Sequence, residues 1–290
     1  MEFLRPTRWS DALAAKAEHP DATPIAGGTD LMVELNFGHR RPAALLDLTR
    51  VPDLAGWERR DGAVRIGAGV SYARIIAELA DLVPGLAKAS RTVGSPQIRN
   101  RGTVGGNLGS ASPAGDAHPP LLATGAVVEV ASVHGSRRIP IAEFFTGVKR
   151  NALAPDELIA AVEVPVAAGP QEFAKVGTRN AMVIAVCSVA LALDPAARSV
   201  GTAIGSAAPT PRRAIEADRF AAGELSGRWD SGGDLDPAVL ARFGELVAAA
   251  AAPIDDVRGS AAYRRHALAV LGRRTLGWAW AHYQRSRGCD

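Results

Sequence analysis

The chain has 290 residues, of which 47% are hydrophobic and 22% charged, and its formal net charge is +3. This composition is typical of a soluble globular protein long enough for two domains, and the scattered arginines exclude nucleic acid as an expected partner. No apolar run reaches the ~18 residues of a membrane span, and the first residues lack the apolar core of a secretory signal, so we expect a cytoplasmic protein.

The first 52 residues predict a small α/β unit. Ser10 or Asp11 caps a helix through ALAAKAE. A short strand then leads into the pair Gly27-Gly28, Thr29 caps a second helix, LMVELNFG, and ALLDL forms a second buried strand. Main-chain N–H groups and a helix dipole meet at the glycine pair, which favours a bound phosphate. Taken alone, however, GGTD is more often a simple chain reversal.

A second α/β unit is predicted for 53–165. VRIGAGV is a strand, Ser71 begins the helix YARIIAEL, and GLAKASRTVG is a further helix-like segment. The runs VVEVAS and SRRIPI alternate around His134-Gly135 and predict a hairpin, and DELIAAVEVP ends the unit as a strand.

The glycine-rich segment QIRNRGTVGGNLGSASPAGD, residues 97–116, lies within this second unit. Because glycine N–H groups approach a ligand without an intervening Cβ, we expect Gly102, Gly105 and Gly106 to form an anion-binding turn. Together with the first glycine pair, this turn suggests two cradles for a dinucleotide pyrophosphate. The chain contains neither GxGxxG opening a βαβ unit nor GxxxxGK[ST], which disfavours a Rossmann site and a P-loop.

The composition shifts at 166–170, which we interpret as a short linker. Beyond it, EFAKVGTR, VIAVCSVALAL and RSVGTAIGSA predict three strands, and three helical segments follow them. This order predicts an α+β domain with helices packed on one face of an antiparallel sheet.

Cysteine and histidine usage argues against a metal centre in this chain. Cys187 lies in an apolar run and is interpreted as a buried small hydrophobe, whereas Cys289 is interpreted as an exposed thiol. Two cysteines cannot supply the four ligands of an iron–sulfur cluster, and the histidines lack paired metal-ligand spacing. We also find no Ser/His/Asp set, so we assign no catalytic residue.

Four segments carry a resemblance to a known family. PIAGGTDL, SPQIRNRGTVGGNLGSASPAGD, FAKVGTRNAM and SAAYRRHALAVLGRR, in this order, resemble the FAD-binding (medium) subunit of molybdenum hydroxylases such as aerobic carbon monoxide dehydrogenase and bacterial xanthine dehydrogenase. The resemblance implies an α+β fold. An FAD-binding PCMH-type domain would cover 1–165, with α/β subdomains at about 1–52 and 53–165. A C-terminal domain of the carbon monoxide dehydrogenase flavoprotein type, an antiparallel sheet plus helices, would cover 171–290.

The resemblance also implies which residues hold FAD. One side of the pyrophosphate would be wrapped by a first loop of six residues: Ile25, Ala26, Gly27, Gly28, Thr29 and Asp30. Because a carboxylate repels phosphate, we expect Asp30 to turn toward the N–H groups of its own helix. In a second loop, Thr103, Gly106 and Asn107 would donate hydrogen bonds to the cofactor through a hydroxyl, an amide and main-chain N–H groups. Val104 and Gly105 would shape the turn that carries them.

Three further positions match the family. Asp116 would accept hydrogen bonds from cofactor hydroxyls, with a turn cap as its alternative role. Ile159 would border the flavin through its backbone. Lys175 would lie near the isoalloxazine, where a cation favours reduced, anionic flavin, with a solvated surface charge as its alternative. The chain departs from some relatives at 181–184, AMVI, where they place an aromatic residue against the flavin.

The function implied by the resemblance is electron transfer. A large molybdenum-cofactor subunit would oxidise carbon monoxide, a purine or another N-heterocycle, and a small subunit with two [2Fe–2S] clusters would pass the electrons to FAD in this chain. The external acceptor would be quinone, NAD or oxygen, and the expected assembly is a dimer of heterotrimers, with any membrane association made through partners. The alternatives are a self-contained PCMH-type flavin oxidoreductase and an assembly subunit that holds FAD only as a structural element.

Overall fold

A three-stranded parallel sheet opens the computed structural model, which describes residues 1–287. The sheet has the order β1-β3-β2, with strands β1 (Glu2–Leu4), β2 (Thr23–Ile25) and β3 (Ala44–Asp47). Its connecting helices are α1 (Trp9–Glu18) and α2 (Leu31–Asn36). The sequence predicted this α/β unit except for β1, which is too short to show any periodicity.

The predicted starts of these two helices are wrong by one to three residues. Helix α1 is preceded by Arg8 as its N-cap, and Asp11 instead lies in the first turn and pairs with the Arg8 guanidinium at 2.9 Å. Helix α2 has Asp30 rather than Thr29 at its N-cap position, and neither α1 nor α2 has a side-chain cap hydrogen bond. Arginine is not a capping residue, so local preference could not indicate the start of α1.

The second unit is built on a five-stranded antiparallel sheet that follows a 3-10 turn at Pro52–Leu54. Its order is β4-β5-β10-β6-β7, with strands β4 (Trp57–Arg60), β5 (Ala63–Gly67), β6 (Val127–Ser132), β7 (Gly135–Pro140) and β10 (Leu158–Pro165). A two-stranded ribbon is formed by β8 (Phe145–Gly147) and β9 (Arg150–Asn151). The predicted β6–β7 hairpin and the strands β5 and β10 are confirmed.

Six helices accompany this sheet: α3 (Tyr72–Glu78), α4 (Pro84–Arg91), α5 (Pro96–Arg101), α6 (Val104–Ser110), α7 (His118–Thr124) and α8 (Ile141–Phe144). The predicted cap is confirmed at α3, where Ser71 Oγ accepts a hydrogen bond from the Arg74 N–H. The glycine-rich segment was predicted as a turn, but most of it forms α5 and α6.

The C-terminal region is a four-stranded antiparallel sheet followed by helices, so the order of strands before helices is confirmed, although only three strands and three helical segments were predicted. Its strands are β11 (Gln171–Val176), β12 (Cys187–Asp194), β13 (Ser199–Gly205) and β14 (Arg212–Arg213), in that order across the sheet. The helices are α9 (Ile215–Leu225), α10 (Arg228–Ser231), α11 (Pro237–Ala249) and α12 (Ala261–Arg287). The α+β class and the division into two domains are therefore as expected.

The C-terminal sheet lies between two hydrophobic cores, and alternate residues of β12 belong to different cores. Cys187, Val189 and Leu191 are buried with the C-terminal helices, whereas Ala190 belongs to the core of the N-terminal domain, from which α4 and α7 contact the sheet. Cys187 is thus buried as predicted, and Cys289 lies outside the described residues. No helix between residues 1 and 287 has both the length and the apolar character needed to cross a membrane.

Candidate functional site

The first loop, residues 25–30, leaves the carboxyl end of β2, the edge of a parallel sheet where ligands usually bind. Across the described part of the chain, the five main-chain N–H groups of Ala26 through Asp30 donate to no protein acceptor. These N–H groups lie beside a cavity of 220 Å³ whose lining includes Ile25, Gly28, Asp47 and Arg101. A run of free amides of this kind is suited to an anion.

The second loop presents a different surface because its amides are already used. Thr103 is the N-cap of α6, and its Oγ1 accepts the Gly106 N–H at 3.0 Å. The Gly102 and Gly105 N–H groups donate to the carbonyls of Ile98 and Ala68 at 2.6 and 3.0 Å. The expectation that Gly102, Gly105 and Gly106 present free amides to an anion is therefore wrong.

Glycine is required at position 105 because α6 packs directly on the strand-to-helix connection after β5. A Cβ placed on Gly105 would lie 2.4 Å from the Cβ of Ala68, far closer than any carbon–carbon contact. Val104 donates to the Val70 carbonyl at 3.2 Å and anchors the same junction. This packing explains why a sequence with low helix propensity, VGGNLGS, is helical here.

The two loops meet at Gly27. A Cβ on this residue would lie 1.9 Å from the carbonyl oxygen of Arg101, so only glycine permits the approach. Ser110, at the end of α6, donates its hydroxyl to Asp30 Oδ2 at 2.8 Å. Asp30 therefore does not turn toward the N–H groups of its own helix as expected, because its carboxylate accepts a hydrogen bond from the Ser110 hydroxyl. The structure brings the predicted loop residues into one site.

Within residues 1–287, buried side-chain polar atoms without partners occur in two regions, one in and around the second loop and the other in the C-terminal domain at Thr202, Arg213, Asp218 and Trp229. Among the described residues, Asn107 Oδ1, Asp116 Oδ1 and the Tyr72 hydroxyl are buried and form no hydrogen bond. Buried polar atoms are nearly always paired in native proteins, and a group bound against these three would supply the missing hydrogen bonds. Free amides on one loop and orphaned side-chain atoms on the other fit a cofactor that carries both phosphates and hydroxyls.

The His118 side chain forms a hydrogen bond with the main chain of Asn107. Its ring is fully buried against Phe145, with 4.5 Å between ring centroids, and its Nε2 lies 3.2 Å from the Asn107 carbonyl oxygen. Burial lowers the pKa of His118 to about 4, although the nearby Asn107 and Ser112 carbonyls act in the opposite direction. The imidazole is thus neutral at pH 7, and its Nε2–H donates to Asn107.

Asp116 and Lys175 form a buried ion pair between the two domains. Lys175 Nζ lies 2.6 Å from Asp116 Oδ2 and also donates to the carbonyls of Thr92 and Val183. Its side chain is only 9% exposed, so the alternative of a solvated surface charge is wrong. Burial raises the pKa of Asp116, and the Lys175 charge and the hydrogen bonds from Lys175 and Thr92 oppose that rise.

The remaining predicted positions lie around these groups. Ile159 is 7% exposed on β10, at a bulge, and its side chain reaches Gly109 of α6. In the 181–184 segment, Met182 has a φ of +50° and is 55% exposed. Its neighbour Ile184 is also exposed, so this segment offers aliphatic side chains at the surface.

Sequence reasoning missed four polar residues of this site: Tyr72, Thr92, Ser110 and His118. Each lies inside or at the end of a helix, and which way it points depends on tertiary packing that a single sequence does not show. The only available signal was the position of Tyr72 directly after the Ser71 cap. Within residues 1–287, no three His, Cys, Asp or Glu side chains are grouped closely enough to hold a metal ion.

Comparison with known proteins gives concordant results. The family profile described as "FAD binding domain in molybdopterin dehydrogenase" matches residues 1–167, and "CO dehydrogenase flavoprotein C-terminal domain" matches residues 172–279. The chain is 31% identical to the nicotine 6-hydroxylase medium subunit of Paenarthrobacter nicotinovorans over 95% of this chain and 96% of that one. It is 30% identical to the xanthine dehydrogenase FAD-binding subunit of Escherichia coli O157:H7, over 96% of both.

A solved structure of Cu,Mo-CO dehydrogenase in its cyanide-inactivated form superimposes with a TM-score of 0.89 at 28% identity. The match covers 97% of this chain and 98% of that one. Sequence and structure comparisons therefore point to the same group of proteins.

Proposed function

The chain belongs to the FAD-binding medium subunits of the molybdenum hydroxylases, and from this premise we propose that it is an electron-transfer subunit. It accepts electrons from the [2Fe–2S] clusters of a small partner subunit and delivers them to an external acceptor: quinone, NAD or oxygen. Substrate oxidation takes place in a large subunit that carries the molybdenum cofactor. The complete assembly is a dimer of heterotrimers located in the cytoplasm.

One observation carries this proposal: the first loop has five free amides and contacts the start of the second glycine-rich segment at Gly27 and Arg101, and that segment carries buried side-chain atoms without partners in the described part of the chain, Asn107 Oδ1 and Asp116 Oδ1. The amides of Ala26 through Asp30 would hold the cofactor phosphates. Asn107 and Asp116 would bind its polar groups, and Thr103 would set the direction of α6. Because the second-loop amides are internally bonded, Val104, Gly105 and Gly106 would shape the site rather than donate to it.

FAD, when bound, supplies a redox centre able to exchange electrons both singly and in pairs, which no side chain of this protein provides. The chain's own residues bind and orient it. The Lys175–Asp116 pair fixes β11 of the C-terminal domain to the α4 end of the N-terminal domain, and the Lys175 bond to the Val183 carbonyl fixes the 181–184 segment beside them. This arrangement lets the C-terminal domain close one side of the site and limit access of water.

Asn107→Asp tests the placement of the cofactor. We expect the added negative charge beside phosphates to weaken FAD binding about tenfold or more, without unfolding the protein. The full chain, produced with its companion subunits, is assayed for FAD released per chain by absorbance. The matched control is Asn100→Asp, an exposed change on α5 that should leave FAD content unchanged. A wild-type complex without any flavin would overturn the proposed function.

A further inference from the structure

Tyr72 lies under the second loop although no motif includes it. It is the first residue of α3, and its main-chain N–H donates to the Gly102 carbonyl at 3.1 Å. Its ring lies 3.4 Å from the position that a Cβ on Gly102 would occupy. The side chain is 2% exposed, so the phenol is enclosed between α3 and the second loop.

The Tyr72 hydroxyl is buried without a hydrogen-bond partner among residues 1–287, and so is Asp116 Oδ1. Burial raises the pKa of the Tyr72 phenol, and the charge of Asp116 raises it further, ahead of that of Asp30. A phenylalanine would fill the same space without leaving a buried hydroxyl unsatisfied. The hydroxyl is thus a structural cost in the free chain and requires another explanation.

We propose that Tyr72 and Asp116 together hold one hydroxyl group of the bound cofactor, an inference that rests on the proposed function. The phenol donates a hydrogen bond to the cofactor oxygen, and that hydroxyl donates its own hydrogen to Asp116 Oδ1. A hydroxyl is the group that accepts and donates at once, as this pair requires. A phosphate oxygen only accepts, and Asp116 and Asp30 would both repel it.

The state of the phenol agrees with a donor role. Burial and the charges of Asp116 and Asp30 raise the pKa of Tyr72 well above its ordinary value, so the hydroxyl keeps its hydrogen throughout the neutral and mildly alkaline range. Asp30 Oδ2 is already bonded by Ser110, and Asp116 Oδ2 by Lys175. These bonds leave Asp116 Oδ1 as the acceptor in this pair.

Tyr72→Phe tests the inference in the full-length chain after removal of flavin. The thermal midpoint without ligand and the dissociation constant for FAD are both measured, the latter by flavin fluorescence. Two matched controls carry the same chemical change: Tyr263→Phe at a 47% exposed position, and Tyr283→Phe, which removes a hydrogen bond to the Trp229 carbonyl. Titrations with FMN and with ADP distinguish a ribityl hydroxyl from an adenosine ribose hydroxyl.

We expect Tyr72→Phe to leave the ligand-free midpoint unchanged or higher, and to weaken FAD binding about fivefold, the effect of one hydrogen bond. A parallel loss for FMN assigns the ribityl chain, and a parallel loss for ADP assigns the ribose; either result supports the pair. Unchanged affinity for FAD would overturn it, as would a lower midpoint like that of Tyr283→Phe with no change in affinity. Failure of wild type and Tyr263→Phe to bind FAD would instead overturn the proposed function.

Discussion

The two glycine-rich loops look alike in sequence but present different groups. The first loop, residues 25–30, offers five main-chain amides with no acceptor in the described chain, and none of its side chains except Asp30 forms a hydrogen bond there. In the second loop, the Gly102, Gly105 and Gly106 amides are already bonded within the protein. What remains there is side-chain chemistry, from Asn107 and, farther along, Asp116.

This difference shows that glycine content alone does not identify an anion site. Gly27 permits a main-chain carbonyl to approach, whereas Gly105 permits a helix to pack on a neighbouring side chain. Only the first loop therefore has the free amides that the phosphate interpretation needs. The second loop instead has its amides bonded within the protein and leaves side-chain atoms without partners among the described residues.

Gly27→Val should have the largest effect, because it separates the two loops. Its Cβ would overlap a main-chain oxygen 1.9 Å away, which cannot move without shifting α5. We expect FAD content to fall below about a tenth of wild type and stability to fall by ~1–3 kcal/mol, as for overpacked sites. Released flavin and urea unfolding measure the two effects.

Gly56→Val is the matched control for this change, because nothing lies within 4 Å of a Cβ at that position. It should retain its FAD. If Gly27→Val kept a full complement of flavin, the two loops would not share one site, and the comparison between them would lose its basis.

Lys175→Met acts on the side-chain half of the site and should have a smaller effect on FAD content than Gly27→Val but a larger one on stability. It leaves Asp116 buried without its partner, and breaking a buried pair in this way costs ~3–5 kcal/mol. The double variant Lys175→Met with Asp116→Asn should recover much of that loss, as read from denaturant midpoints.

Lys149→Met, which breaks a pair whose lysine is 60% exposed, should cost less than ~1 kcal/mol. Equal losses in the two lysine variants would show that burial does not set the energy here.

Local patterns in the sequence were enough to predict much of this architecture. Alternation predicted β6 and β7, an apolar run predicted β12, the Ser71 cap predicted the start of α3, and the glycine pair located the first loop. Strand β1 was missed because three residues show no periodicity, and its pairing with β3 is a contact across about forty residues.

The second loop shows why the rest of the site was not predictable. Its helical state depends on Gly105 packing against Ala68, a contact that propensity opposes. The Lys175–Asp116 pair joins residues 59 apart, and family resemblance indicated both without indicating that they bond each other. Tertiary packing, rather than residue type, decides which polar atoms have no hydrogen-bond partner within the protein.

The folded state should lose stability as the pH falls, because His118 is buried in its neutral form against the second loop. Its pKa is about 4 in the folded chain and near 6.5 when unfolded, so the unfolded state takes up the proton first as the pH falls. Stability from the neutral imidazole is therefore complete above pH 6.5 and is lost progressively toward pH 4, by at most ~3 kcal/mol. Urea unfolding at pH 7, 5.5 and 4.5 measures this loss.

His118→Asn should be less stable than wild type at pH 7, and the difference should shrink as the pH falls to 4.5. His282→Asn, an exposed change on α12, should differ from wild type by the same small amount at every pH. A pH-independent difference for His118→Asn would mean that the imidazole is not held neutral beneath Asn107.

Thr103→Ala paired with Thr29→Ala gives the smallest but most direct comparison of the two loops. Thr103 caps α6 through the Gly106 N–H, and losing such a cap costs ~1 kcal/mol, which Thr103→Ser should largely restore. Thr29 forms no side-chain hydrogen bond with the described residues, so Thr29→Ala should change unfolding by less than ~0.5 kcal/mol. Because the first loop would bind FAD through its main-chain amides, the FAD content of Thr29→Ala should equal that of wild type. Equal costs from the two threonine changes would mean that side chains, rather than main-chain amides, also define the first loop.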